Sequence, residues 1–204
     1  MRLVREKRKE SAISDASTSR LLVAATQRAV FVVANGLLDD SIGYRLYRIQ
    51  SSKAGEPPSV SQLASIGGWS IAELHCGAAF AILLDTKGRL ASFGIGSKGE
   101  LGLDSGFESR LSPEAVDWLQ GLAPVTSVAV GAWHVLALLE DGDVYGWGWN
   151  ASGQLGLEPS EASSWDAPRL VELGVEERAK AIAAGSRHSL ILTGIRLVFA
   201  HICG

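Results

Sequence analysis

Gly77, Gly131 and Gly185 recur at intervals of 54 residues, and each is followed three positions later by a ring: Phe80, His134 and His188. Gly88 and Gly142 keep the interval, as do Gly102 and Gly156. The two full copies read CGAAFAILLDTKGRLASFGIGSKGELGL and VGAWHVLALLEDGDVYGWGWNASGQLGL. A third opens AGSRHSLILT and then departs from the pattern. A weaker copy, AATQRAVFVVANGLL, precedes them, with Arg28 where His134 sits and Asn35-Gly36 where Asp141-Gly142 sits. A period of this length means that one supersecondary unit is stacked on its neighbours, burying between units the apolar faces that no unit buries alone.

Within a unit the pattern is that of short strands. The apolar run Val135 to Leu139, bounded by turn signals, reads as a strand buried on both faces. Asp141-Gly142 predicts a two-residue hairpin turn with positive φ angles, so Val144 to Trp149 returns antiparallel. Asn150 and Gly153 punctuate the end of that strand. Pro113 and Pro168 are expected to begin two further strand-like pieces, PEAVDWL and PRLVEL. Val175 to Ala183 is read as a possible helical turn, too short to change the class. Three or four short strands in a unit of about 50 residues make a propeller blade, whereas a helical repeat would show a 3.6-residue period. The fold class is all-β, and 23 glycines in 204 residues, above the roughly 7% of average usage, fit its many tight turns.

Composition narrows the function classes. The first ten residues hold five basic and two acidic groups, and the remaining chain holds 14 basic and 20 acidic. A body of that sign argues against a dedicated nucleic-acid surface, which needs clustered Lys and Arg to displace counterions. Two cysteines, Cys76 and Cys203, exclude a disulfide framework and a four-thiolate zinc site. No apolar stretch reaches the roughly 18 residues of a membrane helix. MRLVREKRKE lacks the apolar core of a secretory signal. A soluble intracellular protein is expected, in the nucleus, the cytoplasm or both. The basic REKRK at 5–9 is either an import signal or a solvated tail.

The order glycine, histidine three later, aliphatic strand, Asp-Gly, Trp-Gly and Gly-Gln-Leu-Gly resembles the repeat of the regulator of chromosome condensation family. In this chain those positions are Gly131, His134, Val135 to Leu139, Asp141-Gly142, Trp147-Gly148 and Gly153-Gln154-Leu155-Gly156. The resemblance implies a seven-bladed β-propeller. It covers residues 73–193 well and 20–72 weakly, giving a basic polar tail at 1–19, a degenerate first blade at 20–72, propeller repeats at 73–193 and a divergent tail at 194–204. Two departures stand out. The Phe80 copy lacks the histidine and has Phe93-Gly94 for Trp-Gly. After Thr193, Ile195 and Arg196 replace the expected Asp-Gly, so the last unit is expected to lose its hairpin and aromatic strand. Seven blades need roughly 350 residues, so a partial or truncated propeller of three to four blades is expected, with a compact four-bladed ring as the rival.

Nothing in the sequence makes an active site, and no cofactor or metal is expected. His134 and His188 hold equivalent positions and read as blade-fixing residues, as do Gly77, Gly131, Trp147, Gly153, Gly156 and Gly185. His75 and Cys76 are adjacent, so on a strand they face opposite ways and cannot share a metal. No Gly-x-Ser-x-Gly elbow and no P-loop lysine is present. The residues best suited to a partner surface are Trp133, Trp149, Asn150 and Arg187, with Arg187 positioned to pair with an acidic partner or stack on a neighbouring Trp. GWGWN at 146–150 and GSRHS at 185–189 are most similar to a small member of the family. That likeness implies a non-enzymatic, chromatin-associated partner of a Jumonji-type histone demethylase or hydroxylase, with histones nearby. The alternative, from the family's founding member, is guanine-nucleotide exchange on a small GTPase, although no inserted hairpin interrupts the 54-residue spacing. Light sensing, as in the family's ultraviolet receptor, would call for repeated Gly-Trp-Arg-His strings, which GAWH and GSRH do not supply.

Overall fold

Antiparallel strand pairing accounts for nearly all of the regular structure. The computed structural model describes residues 21–27, 29–38, 41–52, 56–106, 109–156, 163–174, 177–194 and 197–200. The first sheet comprises β1 (Leu21–Ala25), β2 (Val30–Leu38), β3 (Ser41–Gln50) and β4 (Ser59–Ile66). The second comprises β5 (Ile71–Cys76), β6 (Phe80–Asp85), β7 (Leu90–Gly94) and β8 (Arg110–Ala115). β9 (Val125–Val130), β10 (His134–Leu139), β11 (Val144–Trp149) and β12 (Ser164–Leu170) form the third. β13 (Ala179–Ala184), β14 (Ser189–Thr193) and β15 (Leu197–Ala200) form a three-stranded fourth. A 3-10 turn at Asp117–Leu119 follows β8. The strands of each sheet pair in chain order, so every sheet is a meander of blade type.

The sheets stack through side chains that alternate along each strand. Phe80, Ile82 and Leu84 pack with Val125, Val128, Val135 and Trp147 of the third sheet. Ala81 and Leu83, on the other face of β6, pack with Phe31, Val33 and Leu46 of the first. β10 repeats the scheme: Val135, Ala137 and Leu139 face the second sheet, while Leu136 and Leu138 face the fourth. Both strands are therefore buried throughout, which is why they read as unbroken apolar runs. Each fully buried Leu, Ile or Phe contributes about 1.5–3 kcal/mol. Equivalent residues keep the same facing from sheet to sheet, since each unit repeats the same strand and turn geometry. Among the described residues none of the three apolar clusters joins the fourth sheet to the first. Leu21, Val23 and Leu192 stay exposed on those two sheets, so among the described residues no apolar contact closes the fourth sheet onto the first, as a compact four-bladed ring would require.

A row of backbone hydrogen bonds also ties each sheet to the next. The N–H of Gln27 donates to Ala78 O at 3.1 Å, that of Ala78 to Ala132 O at 2.9 Å and that of Ala132 to Ser186 O at 3.1 Å. Ala78, Ala132 and Ser186 are repeat equivalents, so the repeat brings its own backbone contacts into register.

Five local expectations need correction. The Asp-Gly turn is not a two-residue turn: Gly142 N–H donates to Leu139 O and Leu139 N–H to Asp143 O, leaving Glu140, Asp141 and Gly142 as a three-residue loop. Only Gly142, at φ 88°, takes a positive angle there, the geometry of a type I turn closed by a left-handed residue. Gly88 at φ 76° does the same after Asp85. Asn35-Gly36 is no turn, since β2 runs through it and pairs Asn35 with Tyr44 and Gly36 with Gly43. Pro113 and Pro168 lie inside β8 and β12, not at their starts. Both are edge strands beside register shifts, where a missing N–H is tolerated. The suspected helical turn gives way to β13, because Ala179 and Ile182 are drawn into the apolar contact with the third sheet. Finally, Leu197–Ala200 supplies the strand thought to be lost, pairing with β14 from Ser189↔Ala200 to Leu192↔Leu197. An apolar, strand-forming LVFA serves without an Asp-Gly signal. Residues 1–19, Arg28, Ile195, Arg196 and Cys203 lie outside the described residues.

Candidate functional site

The spacing of the glycine and the ring has a steric cause. A Cβ on Gly131 would sit 2.1 Å from His134 Cε1, and one on Gly77 or Gly185 would meet the ring of Phe80 or His188 as closely. The ring three residues on therefore folds back over the glycine, and only hydrogen leaves room for it. In the third sheet this fixes His134, wholly buried, with Nε2 at 2.9 Å from Ser189 Oγ of the fourth sheet. The bond thus ties the third sheet to the fourth through two buried side chains. Burial pushes the His134 imidazole down to about 4, a hydrogen bond to the His188 backbone offsetting part of the effect. The ring is neutral at physiological pH and joins the third sheet to the fourth.

Trp147 is likewise fully buried, and its indole N–H donates to Glu100 O of the second sheet at 2.9 Å. Asn150 belongs to the same framework. It has no exposed surface; its Oδ1 accepts the N–H of Leu155 at 3.0 Å, and its backbone O accepts that of Gly153 at 2.9 Å. Asn150 is thus a turn-closing residue whose amide is turned into the protein, which removes it from the partner-facing set.

The other three residues of that set converge. Gly148 takes φ 96°, and with no Cβ it lets the carbonyl of Trp133 approach closely enough to accept the N–H of Trp149 at 2.7 Å. The two indoles then meet edge to face, with centroids 5.8 Å apart. Arg187, on the loop between β13 and β14, lays its guanidinium over the Trp149 ring at 4.8 Å, a cation–π geometry. Lys98, from the loop after β7, and Ser186 complete a cleft of about 430 Å³ on the rim where these loops emerge. Lys98 and Ser186 were not legible as site residues, because a Lys or Ser in a turn-rich loop carries no signal beyond solvation. Gly148→Ala is expected to lower stability by about 1–3 kcal/mol and to weaken the near-ultraviolet circular dichroism of the tryptophan pair. An unchanged spectrum would show that the pair does not depend on this glycine.

Elsewhere the chemistry is sparse. A smaller pocket of about 280 Å³ lies between Trp118, Trp165, Asp104 and Asp166, with Arg169 stacked on Trp165 at 4.1 Å. His75 pairs with Glu73 of its own strand at 2.7 Å. Burial pushes the Cys76 thiol up to about 12, so it is not a reactive thiolate. No group of three or more His, Cys, Asp or Glu among the described residues could hold a metal. No helix among them is long and apolar enough to cross a membrane.

Residues 87–138 and 141–192, half of the chain, match the family model described as the regulator of chromosome condensation (RCC1) repeat. The chain belongs to the RCC1 repeat family. It is 38% identical to RCC1 domain-containing protein 1 of Mus musculus over 136 residues, which is 64% of this chain and 35% of that protein. Its fold is similar to that of human WBSCR16, with a TM-score of 0.71 at 20% identity, covering 89% of this chain and 47% of the other. It is also similar to Prp20p of Saccharomyces cerevisiae, with a TM-score of 0.60 at 23% identity, covering 84% and 41%. The chain therefore spans about a third of the curated relative and less than half of these propeller structures. The first matched RCC1 unit runs from the Gly88 hairpin through β7, β8, β9 and β10 and the second from the Gly142 hairpin through β11, β12, β13 and β14, so each sequence repeat straddles two sheets.

Proposed function

We propose that this RCC1 chain is a non-enzymatic interaction module that binds a protein partner through the rim cleft of Trp133, Trp149 and Arg187. The observation that carries the reading is the convergence, on a rigid repeat framework, of two half-buried indoles and two exposed cations drawn from three different sheets. Aromatic residues and arginine are the side chains most often found as interface anchors. The partner in view is a Jumonji-type histone demethylase or hydroxylase at chromatin, with histones as a second protein class. That direction comes from the resemblance of GWGWN and GSRHS to a small member of the family. Iron and 2-oxoglutarate chemistry would then belong to the partner.

The test is a titration of the purified chain with a purified Jumonji-type oxygenase, and separately with histone octamer, by calorimetry. Binding that weakens roughly tenfold or more in Trp149→Ala, a hot-spot effect, supports the reading. Binding indifferent to Trp149→Ala places the contact elsewhere, and no binding to either protein removes both named partners. Exchange on a small GTPase is the second reading, favoured by the fold likeness to Prp20p, whose structure was described with its binding to Gsp1p and histones. Acceleration of nucleotide release from such a GTPase by the purified chain would establish it, and an unchanged rate would remove it.

A further inference from the structure

Resting on the interaction-module reading, we propose that the cleft takes an acidic linear peptide segment in which carboxylates flank one aromatic or large aliphatic side chain. The first reason is that the residues lining the cleft are the ones that do not repeat. At 54-residue intervals, Trp133 is matched by Ala79 and Arg187, Trp149 by Ile95 and Lys98 by Ser152. Glycines, His134 and the turn residues recur because every sheet needs them. Trp133, Trp149, Lys98 and Arg187 occur together at this one junction, so blade construction does not account for them.

The second reason is charge. Lys98 and Arg187 are both exposed, and among the described residues no carboxylate lines the cleft. Among the described residues Arg187 makes no ion pair; its partner is the Trp149 ring. Glu100 is the acidic group behind Lys98. Its Oε2 is held by the Lys98 backbone N–H at 2.5 Å, and its side chain is buried, facing away from solvent. A guanidinium stacked on an indole keeps its outer N–H donors free for a carboxylate, the geometry at which Arg outperforms Lys. Between the two cations the indoles offer an apolar seat, and about 430 Å³ is within the range of a pocket that encloses one large side chain. Indoles with cations also suit single-stranded nucleic acid. The net charge of −3 opposes a polyanion, whose affinity is built on many phosphate contacts. A short peptide needs only the two cations present.

The probe is a fluorescein-labelled peptide of about a dozen residues with one Phe flanked by Asp and Glu, followed by fluorescence anisotropy on the full chain. Three controls accompany it: the same peptide with Lys for each acid, with Ala for Phe, and an oligo-dT of similar length. The acidic peptide is expected to bind, to lose roughly tenfold in each of Lys98→Glu and Arg187→Glu, and to weaken on Phe→Ala and at high salt. Both substituted positions are exposed, and circular dichroism verifies the fold of each variant. Three outcomes overturn the proposal: the basic peptide binding as well as the acidic one, both charge reversals leaving affinity unchanged, or oligo-dT binding more tightly. If the acidic peptide fails while an oxygenase or histone still binds and loses affinity in Trp149→Ala, the ligand class falls and the interaction module stands. If the protein partners fail while the peptide binds as described, the cleft's chemistry holds and the named partners fall.

Discussion

Trp147→Ala is expected to destabilise the protein by about 4 kcal/mol, a large part of the 5–15 kcal/mol that folds a typical domain. The indole is fully buried in the apolar contact between the second and third sheets, among Phe80, Leu101 and Val135. Truncation leaves a cavity that the rigid strands on both sides cannot close. It also strands the carbonyl of Glu100, which the indole N–H satisfies at 2.9 Å. Gly102 lies directly behind the ring, where a Cβ would come within 2.7 Å of Nε1, so the seat is shaped for this side chain. Trp147→Phe separates the two contributions. The second sheet carries Phe93 at the equivalent place, buried and edge-on to Phe31 at 5.0 Å, so a phenyl ring suits this type of blade position. Loss of the hydrogen bond and of part of the ring is expected to make Trp147→Phe intermediate. Urea unfolding of the three proteins measures this order, and equal midpoints for Phe and Ala would show that ring volume contributes nothing.

Acid should weaken the junction between the third and fourth sheets through His134. Its folded value is about 4 against 6.5 for the free imidazole. The unfolded chain therefore binds the proton first, and stability rises with pH across that interval. The contribution is fully present above pH 6.5, is lost as pH falls towards 4, and is constant below that. The shift corresponds to roughly 3 kcal/mol at one pH unit per 1.36 kcal/mol. Glu100 acts in the opposite sense: burial raises its carboxyl, so acidification relieves a buried charge. The measurement is accordingly a difference, the unfolding free energy of the wild type against His134→Gln at neutral pH and near pH 4.5. Wild type should lose more than the variant over that range. Parallel curves would mean that the buried imidazole does not govern the acid response.

Much of this architecture was legible because strand periodicity is local. Val135 to Leu139 announced a doubly buried strand by having no polar residue to turn outward. The ring after each glycine marked the corner at which one strand passes to the next. Legibility failed where a nonlocal contact outweighed a local signal. Asn35-Gly36 looks like a turn but is carried through a long hairpin by pairing with Tyr44 and Gly43. Val175 to Ala183 has no strong strand alternation, yet Ala179 and Ile182 are pulled into a strand by the face of the third sheet. Asn150 looked available because asparagine in a turn is usually exposed. Its burial follows from the way Leu155 N–H and Ser163 O close around it.

The 54-residue period, its unbroken apolar runs and its glycine–ring pairs are properties of the sequence alone, and they determined that the chain would form stacked antiparallel sheets with two-sided cores. Tertiary structure decided where one sheet ends and the next begins, since a cyclic pattern has the same period whatever its starting point. It also decided that Lys98, Trp133, Trp149 and Arg187 share one cleft. Those residues come from three sheets, and their proximity depends on loops emerging at a common rim, held there by the Ala78–Ala132–Ser186 backbone bonds. A strand records its own facing in every second residue; which neighbours it will meet is fixed only when the sheets stack.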